Sequence, residues 1–341
     1  MVEEQSSAER LPIEWRRWAA VALMKGSPLT EVLSTLTAQG FPEADSIRYC
    51  ATLFDHPALD AGRWLGEQLQ KVYSLLTVRE QMRALSDIPL DVDRRSGLSQ
   101  KEFLDQYYSQ NQPVAMSDSC DRWPARSLWD SDYLVDKLGS VEVEVMAGRE
   151  SDPNYEINSN DHRFLMPFDE YVAKIRTASR SNDTYLVANN QLLATEAALP
   201  LWDDFELDER YLAPDPKRNH AFLWLGPAGT VTPLHHDSVN VLFNQVDGWK
   251  HFILIPSLEI HRVYNNLAVY SAVDALKPDL DQYPLFADVQ QIHLDVGPGQ
   301  SLFIPAGWWH HVEATEASIS ISFTNFAFSN NMDWRNPTIV L

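Results

Sequence analysis

The stretch from Thr232 to Ile255 constrains the fold of this chain more than any other. It reads TPLHHDSVNVLFNQVDGWKHFILI and contains two runs rich in apolar and β-branched residues, Val239 to Val246 and Trp249 to Ile255. Such runs predict β-strands. The Asp-Gly pair at 247–248 is typical of a two-residue type I′ turn, because both turn positions need positive φ. The sequence therefore predicts a β-hairpin, with Lys250 near the start of its second strand.

The residues that precede this hairpin form a candidate metal site. In an extended chain successive side chains alternate, so His235 and Asp237 point to one face and His236 to the other. An imidazole and a carboxylate on one face are two of the three ligands of a 2-His-1-carboxylate site, which leaves positions open on a non-haem iron. An H-x-D pattern alone is weak evidence, since a single histidine near a strand is more often packed or solvated.

The third ligand is expected from the segment Val296 to Val312. Its Gly-Pro-Gly at 297–299 predicts a turn, Ser301 to Ile304 a short strand, and the proline and glycine at 305 and 307 a break before the chain restarts. His310 and His311 would lie on opposite faces of the restarted strand, so only one of them can be a ligand. The ordered series of H-x-D, hairpin, lysine, GPG turn and HH is far more specific than any one of its parts.

Together these motifs resemble the Jumonji-C (cupin-like) Fe(II)- and 2-oxoglutarate-dependent oxygenases. The chain is especially similar to their hydroxylase branch, which includes the asparaginyl hydroxylase that inhibits hypoxia-inducible factor. The resemblance runs from about Tyr185 to Phe326. It is carried by TYL at 184–186, LWLGPAGT at 223–230, TPLHHD at 232–237, QVDGWK at 245–250, GPG at 297–299, FIP at 303–305, WWHH at 308–311 and SISFTN at 320–325. It implies a mainly β fold with helices, namely a double-stranded β-helix (jelly-roll) barrel preceded by an N-terminal helical region.

The resemblance also implies roles for individual residues. Three would bind iron and form the catalytic centre: His235, Asp237 and His310. Lys250 would pair with the distal carboxylate of the co-substrate 2-oxoglutarate. Three others would contact or lie near the co-substrate, the first two as hydrogen-bond donors: Tyr185, Thr232 and Asn325.

One position departs from the family pattern. Many relatives have an asparagine four positions after the iron-binding aspartate, where this chain has Val241. Asn240 is one position short, and a one-residue offset on a strand reverses the face. The role of Asn240 is therefore left open.

The implied activity is hydroxylation of a protein, peptide or amino-acid side chain, with O₂ consumed and succinate and CO₂ released. Relatives that are lysine demethylases often have Glu as the acidic ligand, so Asp237 favours a hydroxylase by analogy. Two alternatives stay open, a non-catalytic cupin-type metal-binding or sensor protein and a lysine demethylase. Lys250 and Tyr185 favour the enzyme, because a bare metal site needs no buried ammonium group.

Composition limits the classes of partner. The chain has 341 residues, 45% of them hydrophobic, and its 27 Lys+Arg against 48 Asp+Glu give a net charge of −21. That charge disfavours nucleic acid as a partner and is compatible with a basic peptide or protein substrate. Cys50 and Cys120 have no metal-ligand spacing. With neither a signal peptide nor a membrane-length apolar run, the expected location is cytoplasmic, away from the membrane.

Two domains are predicted, an N-terminal helical region at 1–93 and the oxygenase domain at 94–341. Helical spacing of apolar residues predicts helices at Ile13 to Met24, from the Ser27-Pro28 start to Gly40, at Ala44 to Phe54 and at Asp60 to Leu85. The apolar stripe of the last helix is expected to pack into a core; its alternative use is a docking face, which would give a homodimer. Ser257 to Gln290 is interpreted either as an insertion over the site or as a solvated loop.

Overall fold

The computed structural model describes residues 11–85, 90–186 and 190–330, without the side chains of residues 266 and 267. Contacts between residues divide the chain into two compact units, Met1–Asp87 and Ile88–Leu341. Within the described residues the first unit is helical and the second contains every strand.

Between residues 11 and 85 the first unit contains four helices: α1 (Ile13–Met24), α2 (Leu29–Ala38), α3 (Glu43–Phe54) and α4 (Pro57–Ala84). Their shared core consists of small and aliphatic side chains: Leu11, Ala19, Leu23, Val32, Leu36, Cys50 and Leu59. The predicted N-cap at Ser27 is one residue early. Pro28 has φ −59° and ψ 139°, an extended conformation, so α2 begins only after it.

The prediction that the apolar stripe of α4 packs into a core is wrong. Leu59 is the only residue of α4 that is buried. The exposed apolar side chains of α4 and its C-cap are Trp64, Leu65, Leu69, Val72, Tyr73, Leu75, Val78, Met82 and Leu85. A helix of 28 residues is about 42 Å long, whereas the 10 to 12 residues of α1 to α3 span only about 15 to 18 Å. The three short helices are therefore too short to cover the whole of α4.

The second unit contains fourteen strands in the part of the chain that is described. They are β1 (Asp93–Arg95), β2 (Val114–Met116), β3 (Glu142–Met146), β4 (Arg163–Pro167), β5 (Ala221–Gly226), β6 (Val231–His236), β7 (Val241–Asp247), β8 (Lys250–Ile255), β9 (Asn265–Leu267), β10 (Tyr270–Ser271), β11 (Ile292–Val296), β12 (Ser301–Ile304), β13 (Trp309–Ala314) and β14 (Ser318–Phe323). Its α-helices are short: α5 (Gln100–Phe103), α6 (Ala125–Leu128), α7 (Ser131–Leu138), α8 (Ser159–His162) and α9 (Phe168–Thr177). The chain continues from α5 as a π-helix, Leu104–Tyr108.

Twelve of these strands form two six-stranded sheets. The first sheet has the order β1-β2-β12-β7-β14-β5, and the second has the order β11-β8-β13-β6-β10-β9. All neighbours pair antiparallel except β1 and β2, which are parallel. In the described ranges no strand belongs to both sheets, so strand pairing does not close them into one barrel. The remaining two strands, β3 and β4, form a separate antiparallel pair.

The predicted hairpin across residues 247–248 is wrong, because its two strands lie in different sheets. β7 pairs with β12 and β14, whereas β8 pairs with β11 and β13. The turn therefore carries the chain from one sheet to the other. Gly248 has φ +71°, and a Cβ there would lie 2.2 Å from the carbonyl oxygen of Ala317, so only glycine fits. The Gln245 amide supports the turn by donating to the carbonyl oxygens of Asp247 and Gly248.

The 257–290 segment is not merely a solvated loop. Val263, Val273 and Phe286 are buried with Ile253 and Trp309 of the second sheet. The segment also contributes β9 and β10, which extend that sheet next to β6. The segment therefore packs on the outer face of the second sheet. Through β9 and β10 it also places one edge of that sheet near the site described below.

None of the described helices combines the length and the apolar character that crossing a membrane would require. Cys50 and Cys120 are both buried and both free thiols.

Candidate active site

A cavity of about 380 Å³ lies between the two sheets of the second unit. The first sheet lines it with side chains of β5, β7, β12 and β14, and the second sheet with side chains of β6, β8, β10 and β13. Its polar lining consists of Glu156, Arg163, Tyr185, Thr232, His235, Asp237, Lys250, Tyr270, His310, Ser322 and Thr324. Apolar and aromatic side chains make up the rest, so charged groups here are held in surroundings of low polarity.

Three potential metal ligands meet on one wall of this cavity. One ligand atom from each of His235, Asp237 and His310 lies within 4.8 Å of the other two. His235 and His310 are directly opposite in the β6–β13 register, and their ring centroids are 4.1 Å apart. His310 Nε2 is 3.6 Å from Asp237 Oδ2. No other group of three such residues meets this condition in the described ranges.

Backbone carbonyls orient both imidazole rings. His235 Nδ1 lies 2.8 Å from the Pro233 oxygen, and His310 Nδ1 lies 3.0 Å from the Trp308 oxygen. A carbonyl can only accept, so Nδ1 of each ring carries the proton and donates. In the neutral ring this leaves the Nε2 lone pair for a metal, a second-shell arrangement common around histidine ligands.

The surroundings of His310 favour its neutral form. Burial, together with the neighbouring His235 ring, lowers the pKa of His310 well below its usual value. At neutral pH His310 is therefore uncharged, and its approach to Asp237 is not an ion pair. Two imidazoles and one carboxylate are the donor set that suits a non-haem ferrous ion, so these residues fit the group.

Lys250 is the second unusual feature of the cavity. Its side chain is buried, with Nζ donating to the Tyr185 hydroxyl at 3.3 Å. Among the residues described, no carboxylate forms an ion pair with it. Nζ lies 5.3 Å from the ring centroid of Phe243 and 5.9 Å from that of Trp224. Desolvation lowers the pKa of Lys250 to about 7. A buried ammonium without a carboxylate partner is costly, and an anionic ligand would remove that cost.

Tyr185 and Thr232 also line the cavity. Burial raises the pKa of Tyr185, so its hydroxyl stays protonated and can donate. Asn325 is not among the cavity-lining residues. Its side-chain amide donates to the carbonyl oxygen of Ala213, and Thr324 lines the cavity instead.

Asn240 has a structural position outside the cavity. Its side-chain oxygen accepts from the backbone N–H of Ala306, and its amide nitrogen donates to Asn330. Val241, where relatives have asparagine, faces the cavity. Because of the one-residue offset, the cavity wall has an apolar side chain at this position in place of a polar one. The Asn240 amide instead holds the turn before β13.

Sequence reasoning missed Glu156, Arg163 and Tyr270. Tyr270 is directly opposite His235 in the β10–β6 register, and its hydroxyl donates to Glu156 at 3.3 Å. Glu156 in turn pairs with the fully buried Arg149 at 3.0 Å. No local motif marks these residues, because Glu156 reaches the cavity from a turn, Arg163 from the start of β4 and Tyr270 from a two-residue strand. For Tyr270 the available signal was the length of the 257–290 segment, for which an insertion over the site was one of two interpretations.

The remaining histidines and tryptophans of the two motifs point elsewhere. His236 packs against Trp309 with ring centroids 4.7 Å apart. The Trp308 indole donates to the backbone oxygen of Asn111. His311 is buried on the face opposite His310, and burial lowers its pKa to about 4. The register of β13 thereby separates His310, which faces the cavity, from His311.

Comparisons with known proteins show which family the second unit matches. The family described as the Cupin-like domain matches residues 99–332. The chain is 33% identical over 246 residues to the lysine-specific demethylase JMJ30 of Arabidopsis thaliana, a match covering 68% of this chain and 54% of the relative. It is 29% identical over 232 residues to lysine-specific demethylase 8 of Xenopus tropicalis, covering 66% and 50%.

A human relative is named for a different activity. The chain is 26% identical over 249 residues to the bifunctional peptidase and (3S)-lysyl hydroxylase JMJD7 of Homo sapiens, covering 62% of this chain and 77% of the relative. The chain spans about half the length of the first two relatives. The second unit therefore has the sheet-rich core of a cupin-like domain, and N-terminal helices precede it.

Proposed function

Because the chain belongs to the Jumonji-C (cupin-like) family of Fe(II)- and 2-oxoglutarate-dependent oxygenases, we propose that it hydroxylates a side chain of a protein or peptide. The observation that carries this proposal is one cavity with two kinds of site. A 2-His-1-carboxylate cluster lies on its wall, and a buried lysine without a carboxylate partner faces the same space.

His235, Asp237 and His310 would hold the iron. When bound, Fe(II) and 2-oxoglutarate would supply oxygen activation and oxidative decarboxylation to succinate and CO₂. The protein's own contribution is to orient both imidazoles through the Pro233 and Trp308 carbonyls and to keep His310 neutral by burial. The low-polarity walls limit the access of water to the reacting groups.

Lys250 would hold the distal carboxylate of 2-oxoglutarate. An ammonium group on an aliphatic stem acts as a point charge, and its pairing with an anion offsets the desolvation that lowers its pKa. The hydroxyls of Tyr185 and Thr232 would donate to the same carboxylate and satisfy its remaining lone pairs. Asn325 is left out of the proposed set, because its amide is used by Ala213.

Two features support hydroxylation and a basic substrate. The acidic ligand is Asp237, as in the hydroxylases that the chain resembles, and one relative is a lysyl hydroxylase by name. The net charge of −21 favours the approach of a basic protein or peptide. Lysine demethylation is the second candidate, because two relatives are lysine-specific demethylases by name.

The domain arrangement is part of the same proposal. We expect residues 94–341 to be the oxygenase domain, with its two sheets arranged as a double-stranded β-helix, and residues 1–93 to be an accessory helical region. The cavity lies between the sheets and is lined from both, as in small antiparallel barrels that hold a ligand.

The test measures succinate formed from 2-oxoglutarate with Fe(II), with and without a library of lysine-containing peptides. Wild type is expected to form succinate and to add one oxygen to a peptide, read as a mass increase. Asp237→Ala should reduce succinate formation and peptide oxidation to background. Asp288→Ala, at an exposed aspartate that does not line the cavity, should retain both.

The outcomes separate the candidates. Loss of a methyl group from methyl-lysine peptides, without a stable added oxygen, would favour the demethylase. Equal succinate from wild type and Asp237→Ala would refute an oxygenase. Iron binding without any turnover would favour a metal-binding or sensor protein.

A further inference from the structure

A second cluster of potential metal ligands lies on the outer face of the second sheet. Side chains alternate along β8, where Lys250 and Phe252 line the cavity and His251 therefore points the other way. Asp295 of β11 is directly opposite His251 in the register, and His293 lies two residues earlier on the same strand. The three side chains thus share one surface, separated from the cavity by the sheet itself.

The contacts within this cluster form a chain. His251 Nδ1 lies 2.7 Å from Asp295 Oδ1, and His251 Nε2 lies 3.2 Å from His293 Nδ1. Since the carboxylate accepts, His251 Nδ1 carries a proton and donates it to Asp295. In the neutral His251 ring the Nε2 lone pair then points at His293. His293 Nδ1 carries a proton and donates it to this lone pair.

The spacing of the two facing nitrogens matches a metal-bound pair. Two imidazole nitrogens at about 2.0–2.1 Å from a tetrahedral zinc ion lie about 3.3–3.4 Å apart. The observed separation is 3.2 Å. Asp295 occupies the place of the carboxylate that orients a histidine ligand in carboxylate–histidine–zinc triads. A small rotation of either ring would let an ion replace the shared proton.

We propose that His251 and His293 form a second, surface metal site for Zn²⁺ or a similar divalent transition ion, with Asp295 orienting His251. Two protein ligands leave the other positions to water, so the ion is exchangeable. Both rings stay neutral on binding: the proton on His293 Nδ1 moves to Nε2 of the same ring, which frees the Nδ1 lone pair for the ion. Glu313, opposite His251 on β13, is paired with Arg180 and is not part of the site. The site is independent of the proposed oxygenase activity, because it shares no residue with the cavity.

The experiment counts Zn²⁺ bound per chain by titration against a chromophoric chelator, using the whole protein. Wild type should bind one more ion than His251→Ala and one more than His293→Ala, whatever the cavity binds. Asp295→Asn should keep the extra ion with affinity about 10- to 100-fold weaker, the usual effect of losing such an outer partner. His56→Asn is the control, because it removes an exposed histidine of the first unit but keeps an acceptor at the N-cap of α4.

The difference in bound Zn²⁺ between wild type and the variants decides the outcome, and the total Zn²⁺ bound does not. Equal zinc stoichiometry in wild type and in both histidine variants would overturn the site and leave only a hydrogen-bonded histidine pair. Unchanged affinity in Asp295→Asn would remove its assigned role. Circular dichroism of each variant establishes that the substitutions, all on exposed or half-exposed side chains, leave the fold intact.

Discussion

Replacing Lys250 by methionine should stabilise the protein while removing 2-oxoglutarate binding. Burial lowers the pKa of this ammonium from 10.5 to about 7. Each step of one in pKa corresponds to about 1.36 kcal/mol, so keeping Lys250 in the folded state costs about 4 kcal/mol at pH 7. Methionine is similar in length, uncharged and compatible with the aromatic rings of Phe243 and Trp224.

The net gain is smaller than this cost. The variant loses the hydrogen bond from Nζ to the Tyr185 hydroxyl, which contributes about 1 kcal/mol. We therefore expect Lys250→Met to raise the free energy of unfolding of the second unit by about 3 kcal/mol at pH 7. Replacing a buried charge by an apolar group often has this sign.

The pH dependence distinguishes this cause from a simple packing effect. The folded-state pKa of Lys250 lies below the unfolded one, so between about pH 7 and 10.5 the unfolded chain binds more protons at this group. The destabilisation is fully present below about pH 7 and shrinks as the pH rises toward 10.5. The advantage of Lys250→Met should shrink over the same range.

The assay is denaturant unfolding of metal-free protein without 2-oxoglutarate, at several pH values. Lys217→Met is the control at an exposed lysine and should change stability by less than about 0.5 kcal/mol. Added 2-oxoglutarate should stabilise wild type and not Lys250→Met. A variant that is no more stable than wild type at pH 7, or whose advantage is the same at pH 7 and 10, would refute the reasoning.

Three further predictions follow from the same structure. The affinity of wild type for 2-oxoglutarate, measured by calorimetry, should fall as the pH rises above about 7, because only protonated Lys250 attracts the anion and its pKa in the free protein is about 7; a flat profile would contradict this. Gly248→Ala should lower the free energy of unfolding by at least about 2 kcal/mol, since φ is +71° and the new Cβ would meet Ala317; a melting temperature equal to that of wild type would count against it. Asn240→Ala should cost about 1–3 kcal/mol by removing the acceptor for the Ala306 N–H, measured by thermal unfolding; an unchanged melting curve would exclude that role.

Local pattern predicted several elements closely. α1 spans Ile13–Met24 and β12 spans Ser301–Ile304, at the bounds that residue periodicity and turn signals indicated. Alternation along an extended chain also placed His235 and Asp237 on one face and His236 on the other. These features depend on neighbours within a few residues, and the sequence contains that information directly.

Partner choice between strands was not predictable in the same way. The Asp-Gly pair before Lys250 has the composition of a hairpin turn, yet the chain crosses there from one sheet to the other. Turn propensity describes the conformation of a few residues, whereas the partner of a strand is set by packing between distant segments. The same limit applies to α4. Its apolar residues have helical spacing, but the neighbouring helices are too short to cover them.

By itself, the sequence determined the types of ligand, the buried lysine near them and the family. The residue pattern left His310 and His311 as alternatives, and the resemblance to the family assigned His310. Only the tertiary structure decided that His310 meets His235 and Asp237 on one wall, that the Asn325 amide is used elsewhere, and that Glu156 and Tyr270 join the wall. The physical reason is that residue chemistry is a property of each position. Convergence on one cavity depends instead on the register between strands far apart in the chain, where an offset of one residue reverses the face that a side chain occupies.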